Sequence, residues 1–97
     1  MRQDSLPEVM IQLPHRLRPL AGEQREVRLR AARVGEALDR LTALYPELRS
    51  RLREGGGGLR PSVLFFLNAE DIRSRQGEET ALSEGDTIAI VPVADGG

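Results

Sequence analysis

Val9, Ile11 and Leu13 alternate with Met10 and Gln12. That period of two predicts a strand with one buried face, stopped by Pro14. Residues 16–24 contain Pro19, Ala21 and Gly22 and read as a turn. Val27 and Leu29 then alternate with Arg28 and Arg30, predicting a second strand that forms a hairpin with the first. The period changes at Val34, where Val34, Ala37, Leu38, Leu41 and Leu44 recur at helical spacing in one apolar stripe. Arg33, Glu36, Asp39 and Arg40 lie mostly off that stripe. Pro46 prevents continuation, so the helix is expected to end near Tyr45. Residues 47–54 read as a further short helical turn, buried through Leu48 and Leu52.

Four consecutive glycines at residues 55–58 cost too much backbone entropy to sit inside an element and predict a flexible loop. A phosphate-cradling loop would need a lysine and a serine or threonine that are missing here. The run Val63–Leu67 (VLFFL) predicts a strand buried on both faces, or on one face plus a binding surface. Asn68 and Ala69 form a turn, and Asp71 and Ile72 start a short edge strand. Residues 73–84 are polar, and Ser83, Glu84, Gly85 and Asp86 signal a tight turn before the last strand, Thr87–Pro92. Strand, strand, helix, strand, short strand, strand is the order of an α+β layer with one helix on one mixed sheet.

Alternation divides the two strands expected to be central into faces. Val63, Phe65, Leu67, Ile88 and Ile90 are assigned to the helix side. Leu64, Phe66, Ala89 and Val91 then point outward, where a purely structural face would carry polar residues, and this suggests a partner surface. A one-residue slip in register would exchange the two faces. Arg28 and Arg30 read first as a solvated face, with steering toward an acidic partner as the alternative.

At 97 residues the chain is expected to be one domain, residues 1–97, with residues 93–97 a flexible tail. A net charge of −1 gives no general pull toward nucleic acid or membrane. No stretch approaches the roughly 20 apolar residues that span a bilayer, and the start of the chain shows no signal peptide. A cytoplasmic protein is the expectation. The absence of cysteine excludes disulfides, thiolate zinc sites and a side-chain persulfide. A single histidine, His15, reads as a loop residue, and no constellation supports an enzyme or a metal site. All fourteen basic residues are arginine. Codon bias or a preference for arginine explains this, and avoidance of self-linkage by an activated C-terminus is the sharper alternative.

The chain resembles the ubiquitin-like sulfur carriers of prokaryotes. The resemblance rests on Val34-Gly35-Glu36-Ala37-Leu38, Tyr45-Pro46-Glu47-Leu48, Leu67-Asn68-Ala69-Glu70-Asp71-Ile72-Arg73, Leu82-Ser83-Glu84-Gly85-Asp86 and Ile90-Val91-Pro92, with Gly96-Gly97 at the end. It implies a β-grasp fold, with one main helix packed on a mixed four- to five-stranded sheet. Within the family the branch serving cysteine biosynthesis is the nearest likeness, through Pro14, the Leu17-Arg18-Pro19 stretch, the glycine-rich insertion and the segment from Asn68 to Arg73. Arg33 departs from the threonine that many relatives place as the helix cap. A guanidinium cannot accept the capping hydrogen bond, so the first turn is expected to fray.

The resemblance also implies a carrier rather than an enzyme. A ubiquitin-activating-like adenylyltransferase and sulfurtransferase would use ATP to adenylate the Gly97 carboxylate, and a sulfur donor would displace AMP to leave a thiocarboxylate. Gly96 and Gly97 lack Cβ atoms and suit a narrow channel. Asp95 adds a negative charge that a basic channel in partners would accept. The implied acceptor is a pyridoxal-phosphate-dependent cysteine synthase, and a zinc metalloprotease would trim the tail. The chain itself would bind no cofactor, no nucleic acid and no membrane. The alternatives are a molybdopterin synthase small subunit, a carrier for tRNA thiolation, a protein modifier and a passive β-grasp interaction module.

Overall fold

A computed structural model gives the fold and describes residues 5–93. Five strands form one sheet: β1 (Glu8–Gln12), β2 (Glu26–Arg30), β3 (Val63–Leu67), β4 (Glu70–Asp71) and β5 (Thr87–Pro92). Their order across the sheet is β2-β1-β5-β3-β4. The hairpin β1/β2 is antiparallel, with Ile11 opposite Val27 and Val9 opposite Leu29. β1 and β5 run parallel in the middle, with Ile11 beside Ile88, and β5 is antiparallel to β3. The first and last strands are therefore neighbours, and each turns apolar side chains to the same side. Val9, Ile11, Ile88 and Ile90 are all buried.

The main helix α1 (Val34–Leu44) covers that side through Val34, Ala37, Leu38 and Leu41, each fully buried. Leu44 does not belong to the buried stripe, because it is 57% exposed. At about 100° per residue, position 45 continues the direction of Leu38 and Leu41. Tyr45 accordingly packs against the core. Thr42 completes the buried face in place of Leu44. After the helix, a 3-10 turn at Pro46–Leu48 leads into α2 (Arg49–Leu52), and Leu48 and Leu52 are buried as their spacing predicts.

Arg33 makes no side-chain cap, yet the first turn is not left without partners. The Val34 amide donates to the carbonyl of Thr80 at 3.0 Å, and the Leu82 amide donates to the carbonyl of Ala32 at 2.9 Å. The Glu36 carboxylate reaches back to the Ala32 amide at 2.6 Å. A distant backbone segment thus supplies the Val34 amide with the acceptor that the Arg33 side chain cannot.

Other readings also change on folding. Residues 16–24 are largely a 3-10 helix, His15–Ala21, which buries Leu17 and Ala21. The edge strand β4 stops at Asp71, and Ile72 begins a 3-10 turn with its side chain 2% exposed. The polar stretch at residues 73–84 contains buried Thr80 and Leu82. The glycine run is a hydrogen-bonded loop, in which the Glu54 amide donates to Gly58 and the Gly57 amide to Glu54, both at 2.8 Å.

Candidate functional site

Phe65, Leu67, Ile88 and Ile90 lie in the core, with Phe65 opposite Ile90 and Leu67 opposite Ile88. Val63, opposite Pro92, is half-buried and packs against the same core. Alternation then turns Leu64, Phe66, Ala89 and Val91 to the other face of the sheet. Leu64 sits opposite Val91, and Phe66 opposite Ala89. Directly paired residues lie about 5 Å apart at Cβ, so these four side chains form one apolar quartet. Leu64, Phe66 and Ala89 are half-buried among their neighbours, and Val91 is exposed.

β1 and β2 extend this face with Met10, Gln12 and Arg28, and Gln12 stands beside Ala89. The Arg28 guanidinium has no hydrogen-bonded partner among the described residues. Arg30, by contrast, donates from Nη1 to the Leu6 carbonyl at 2.7 Å and lies 4.0 Å from Glu84. Of the two arginines read from the sequence, Arg28 alone presents a free charge. His15 is exposed at the start of its 3-10 helix.

β5 carries the chain toward its C-terminus along β3. The amides of Val93 and Asn68 donate to Ser62 and Thr87 of the neighbouring segments, at 3.0 and 2.9 Å. Odd-numbered amides of β5 thus belong to the β3 side, and residue 92 faces the β1 side. β1 has already ended at Gln12, so Pro92 leaves no ladder donor missing. The ladder reaches Val93, 53% exposed, directly beside the apolar quartet. Asp95, Gly96 and Gly97 lie outside the described residues.

Two charge clusters lie outside this quartet. The Asp71 carboxylate accepts from the Arg73 amide at 2.8 Å and from its guanidinium at 2.7 Å. Those hydrogen bonds from Arg73 hold the Asp71 carboxyl below the usual range and raise the guanidinium further. On the helix side, Arg53 is buried and donates to Glu78 at 2.7 and 3.1 Å, to Asp39 at 3.1 Å and to the Gly57 carbonyl at 2.7 Å. The hydrogen bond to Glu78 is the main cause of the raised affinity of Arg53 for its proton, working against burial. This pin ties α1, the glycine loop and residues 77–79 together. Nothing local distinguishes Arg53 from the other arginines, and the sequence reading missed it.

A third feature also escaped the sequence reading. A groove of about 320 Å³ opens where β1 ends and β5 emerges. Arg18 and Arg25 line it, beside Ala89 and Val91 of the quartet. Among the described residues no group of three or more acidic or histidine side chains is placed to hold a metal ion. No helix among them is long and apolar enough to cross a membrane.

A five-stranded mixed sheet with one main helix, its first and last strands paired at the centre, is the ubiquitin-like β-grasp fold. The sequence matches the ThiS family across residues 11–97, and the chain belongs to that family. It is a sulfur carrier and acts as a carrier protein, not as an enzyme. The sulfur carrier protein CysO of Mycobacterium tuberculosis is 33% identical over 91 residues, covering 92% of this chain and 98% of the relative. The solution structure of small archaeal modifier protein 1 from Methanosarcina acetivorans superposes with a TM-score of 0.86 at 34% identity, covering 95% of this chain and 98% of that one. A chain of the crystal structure of the Amycolatopsis orientalis BexX/CysO complex is similar too, with a TM-score of 0.83 at 29% identity and coverage of 92% and 99%.

Proposed function

We propose that Gly97 carries sulfur as a C-terminal thiocarboxylate and delivers it to cysteine biosynthesis. The observation that carries this reading is positional. The β5 ladder runs to Val93 beside the apolar quartet Leu64, Phe66, Ala89 and Val91. A partner seated on that quartet covers the point where β5 reaches Val93, four residues before Gly97. Four residues reach about 13 Å when extended, enough to enter a partner's active site from this platform. The likeness to CysO over nearly the whole chain supports the choice of pathway.

In the proposed cycle a carboxylate oxygen of Gly97 attacks the α-phosphorus of ATP on an activating adenylyltransferase, and pyrophosphate leaves. Sulfide then attacks the acyl carbon as HS⁻, the bond to AMP breaks, a proton is lost and the thiocarboxylate remains. The acceptor is a pyridoxal-phosphate enzyme holding an activated serine-derived intermediate, and a zinc metalloprotease restores the Gly96-Gly97 end. The chain binds no cofactor itself, and the work takes place in the cytoplasm, where ATP is available. Gly96 threads the channel, and Asp95 meets basic residues there.

Intact mass tests this directly. The native chain, incubated with ATP, the activating enzyme of the same organism and a sulfide source, is expected to gain the mass of one oxygen-to-sulfur exchange. The Gly97 deletion is expected to gain nothing. An unchanged mass with a demonstrably active enzyme would sink the reading. The similarity to an archaeal modifier protein favours a second reading, conjugation to lysines of other proteins, and higher-mass adducts dependent on Gly97 would support it.

A further inference from the structure

We propose that the groove formed by Arg18 and Arg25 receives a carboxylate side chain of the adenylyltransferase that activates the tail. This deepens the carrier reading and rests on it. The groove is placed by the backbone. The Leu13 amide donates to the Arg25 carbonyl at 2.9 Å, which sets Arg25 opposite the end of β1. Arg18 is half-buried, and its Nε donates to the Leu13 carbonyl at 3.1 Å, holding the guanidinium against the groove wall.

Among the described residues that single bond leaves both terminal nitrogens of Arg18 without an acceptor, and Arg25 has none either. Among the described residues six other arginines are ion-paired: Arg30 to Glu84, Arg33 to Glu79, Arg40 to Glu36, Arg53 to Glu78 and Asp39, Arg73 to Asp71, and Arg75 to Glu70. Arg16, Arg28, Arg49, Arg51 and Arg60 make no such pair among the described residues, yet none of them lines this groove. Glu26 is its one acid among the described residues, so there two guanidiniums face one carboxylate.

The groove is continuous with the proposed docking face, since Ala89 and Val91 belong to both. A protein covering the quartet therefore desolvates the groove rim, and an unpaired guanidinium there becomes costly unless the partner brings an anion. Arginine accepts a carboxylate through two parallel N–H···O bonds, which adds orientation to charge. The partner surface that fits is an apolar patch with one or two carboxylates on the side nearest β1. Such a contact fixes the rotation of the carrier about its tail, which hydrophobic contact alone leaves loose.

The test is ATP–pyrophosphate exchange by the purified activating enzyme of the same organism, with the full-length chain as substrate. Arg25→Glu is expected to raise KM for the carrier about tenfold at low salt, with kcat unchanged, and the difference should shrink as ionic strength rises. The pair Arg18→Gln with Arg25→Gln is expected to give a similar loss and a flatter salt dependence than the wild type. Arg51→Glu on α2 is the charge-matched control, and melting temperatures should stay level across the set. If Arg25→Glu behaves as Arg51→Glu does, the proposal is overturned. A shift of the Gly97 amide resonance in the free Arg25→Glu variant, with KM unchanged, would assign the groove to the chain's own tail and also overturn it. A wild-type chain that is not activated at all would defeat the carrier reading, and this inference with it.

Discussion

A Cβ added to Gly35 would lie 2.7 Å from Oε1 of Glu78, 3.0 Å from its Cβ and 3.3 Å from its carbonyl oxygen. Glu78 cannot simply swing away, because Arg53 holds its carboxylate through two hydrogen bonds. The glycine in the first turn of α1 is there for close approach, not for a special backbone angle. Gly35→Ala gains about 1 kcal/mol of helix propensity and loses about 1–3 kcal/mol to overpacking and a displaced ion pair. Net destabilisation of about 1 kcal/mol is expected in urea denaturation. In a Glu78→Ala background, which removes the Oε1 contact but keeps the residue 78 Cβ and carbonyl, the penalty should shrink without vanishing, and an unchanged penalty would show that the carboxylate is not what the new methyl meets.

The β3/β4 turn carries a removable strain. Asn68 and Ala69 have φ of 51° and 75°, the pair of positive angles that a two-residue hairpin loop requires. Asn68 tolerates the left-handed region, and its side chain is held by Asp86 at 2.9 Å and by the Thr87 amide at 3.0 Å. Ala69 has no such compensation. Ala69→Gly removes a Cβ clash worth about 1–2 kcal/mol and gives back part of it as unfolded-state entropy. A net stabilisation of about 0.5–1 kcal/mol is expected by thermal melting.

Acid should act partly through the helix start. The Glu36 carboxyl is held below its ordinary range, first by the Ala32 amide and then by Arg40 at 3.1 Å. A depressed carboxyl binds fewer protons folded than unfolded, so its contribution is present above the ordinary glutamate value of about 4.3 and fades as pH falls below it. Asp71 has the same sign through Arg73. Glu36 is substantially solvent-exposed, so its share stays under about 1 kcal/mol. Glu36→Gln is expected to be less stable than wild type at pH 7 and to converge with it near pH 3. Parallel stability curves would contradict this.

The two faces of β3 should respond oppositely to charge. Phe65 is 3% exposed, and Phe65→Asp buries a carboxylate in the core, at a cost above about 3 kcal/mol. Phe66 and Leu64 lie on the other face, and Phe66→Asp or Leu64→Asp should cost about 1 kcal/mol while keeping the native circular dichroism. The same two variants are expected to lose activation of the tail. Equal unfolding by Phe65→Asp and Phe66→Asp would show that the outward face is not available to a partner.

What could be read from residue order alone is largely what depends on short-range periodicity. The alternation in Val9, Ile11 and Leu13 and in Thr87–Pro92, the stripe from Val34 to Leu41, and the buried pair Leu48 and Leu52 each report a local repeat of 2 or 3.6, and each appears in the fold. The inward assignment of Phe65 and Ile90, against the outward one of Phe66 and Ala89, follows from the same parity. Leu44 failed because a stripe read as i, i+3 drifts off its face by the third turn, where Tyr45 takes the buried direction.

Tertiary structure decided whatever depends on segments far apart in the chain. The Thr80 carbonyl that receives the Val34 amide, the Glu78 carboxylate over Gly35 and under Arg53, and the meeting of Arg18 and Arg25 with Ala89 and Val91 all join residues from separate elements. An arginine's partner is chosen by where the sheet and helix bring carboxylates, not by its neighbours in sequence. Periodicity fixes which way a side chain points from its own element, and only the packing of elements fixes what it meets there.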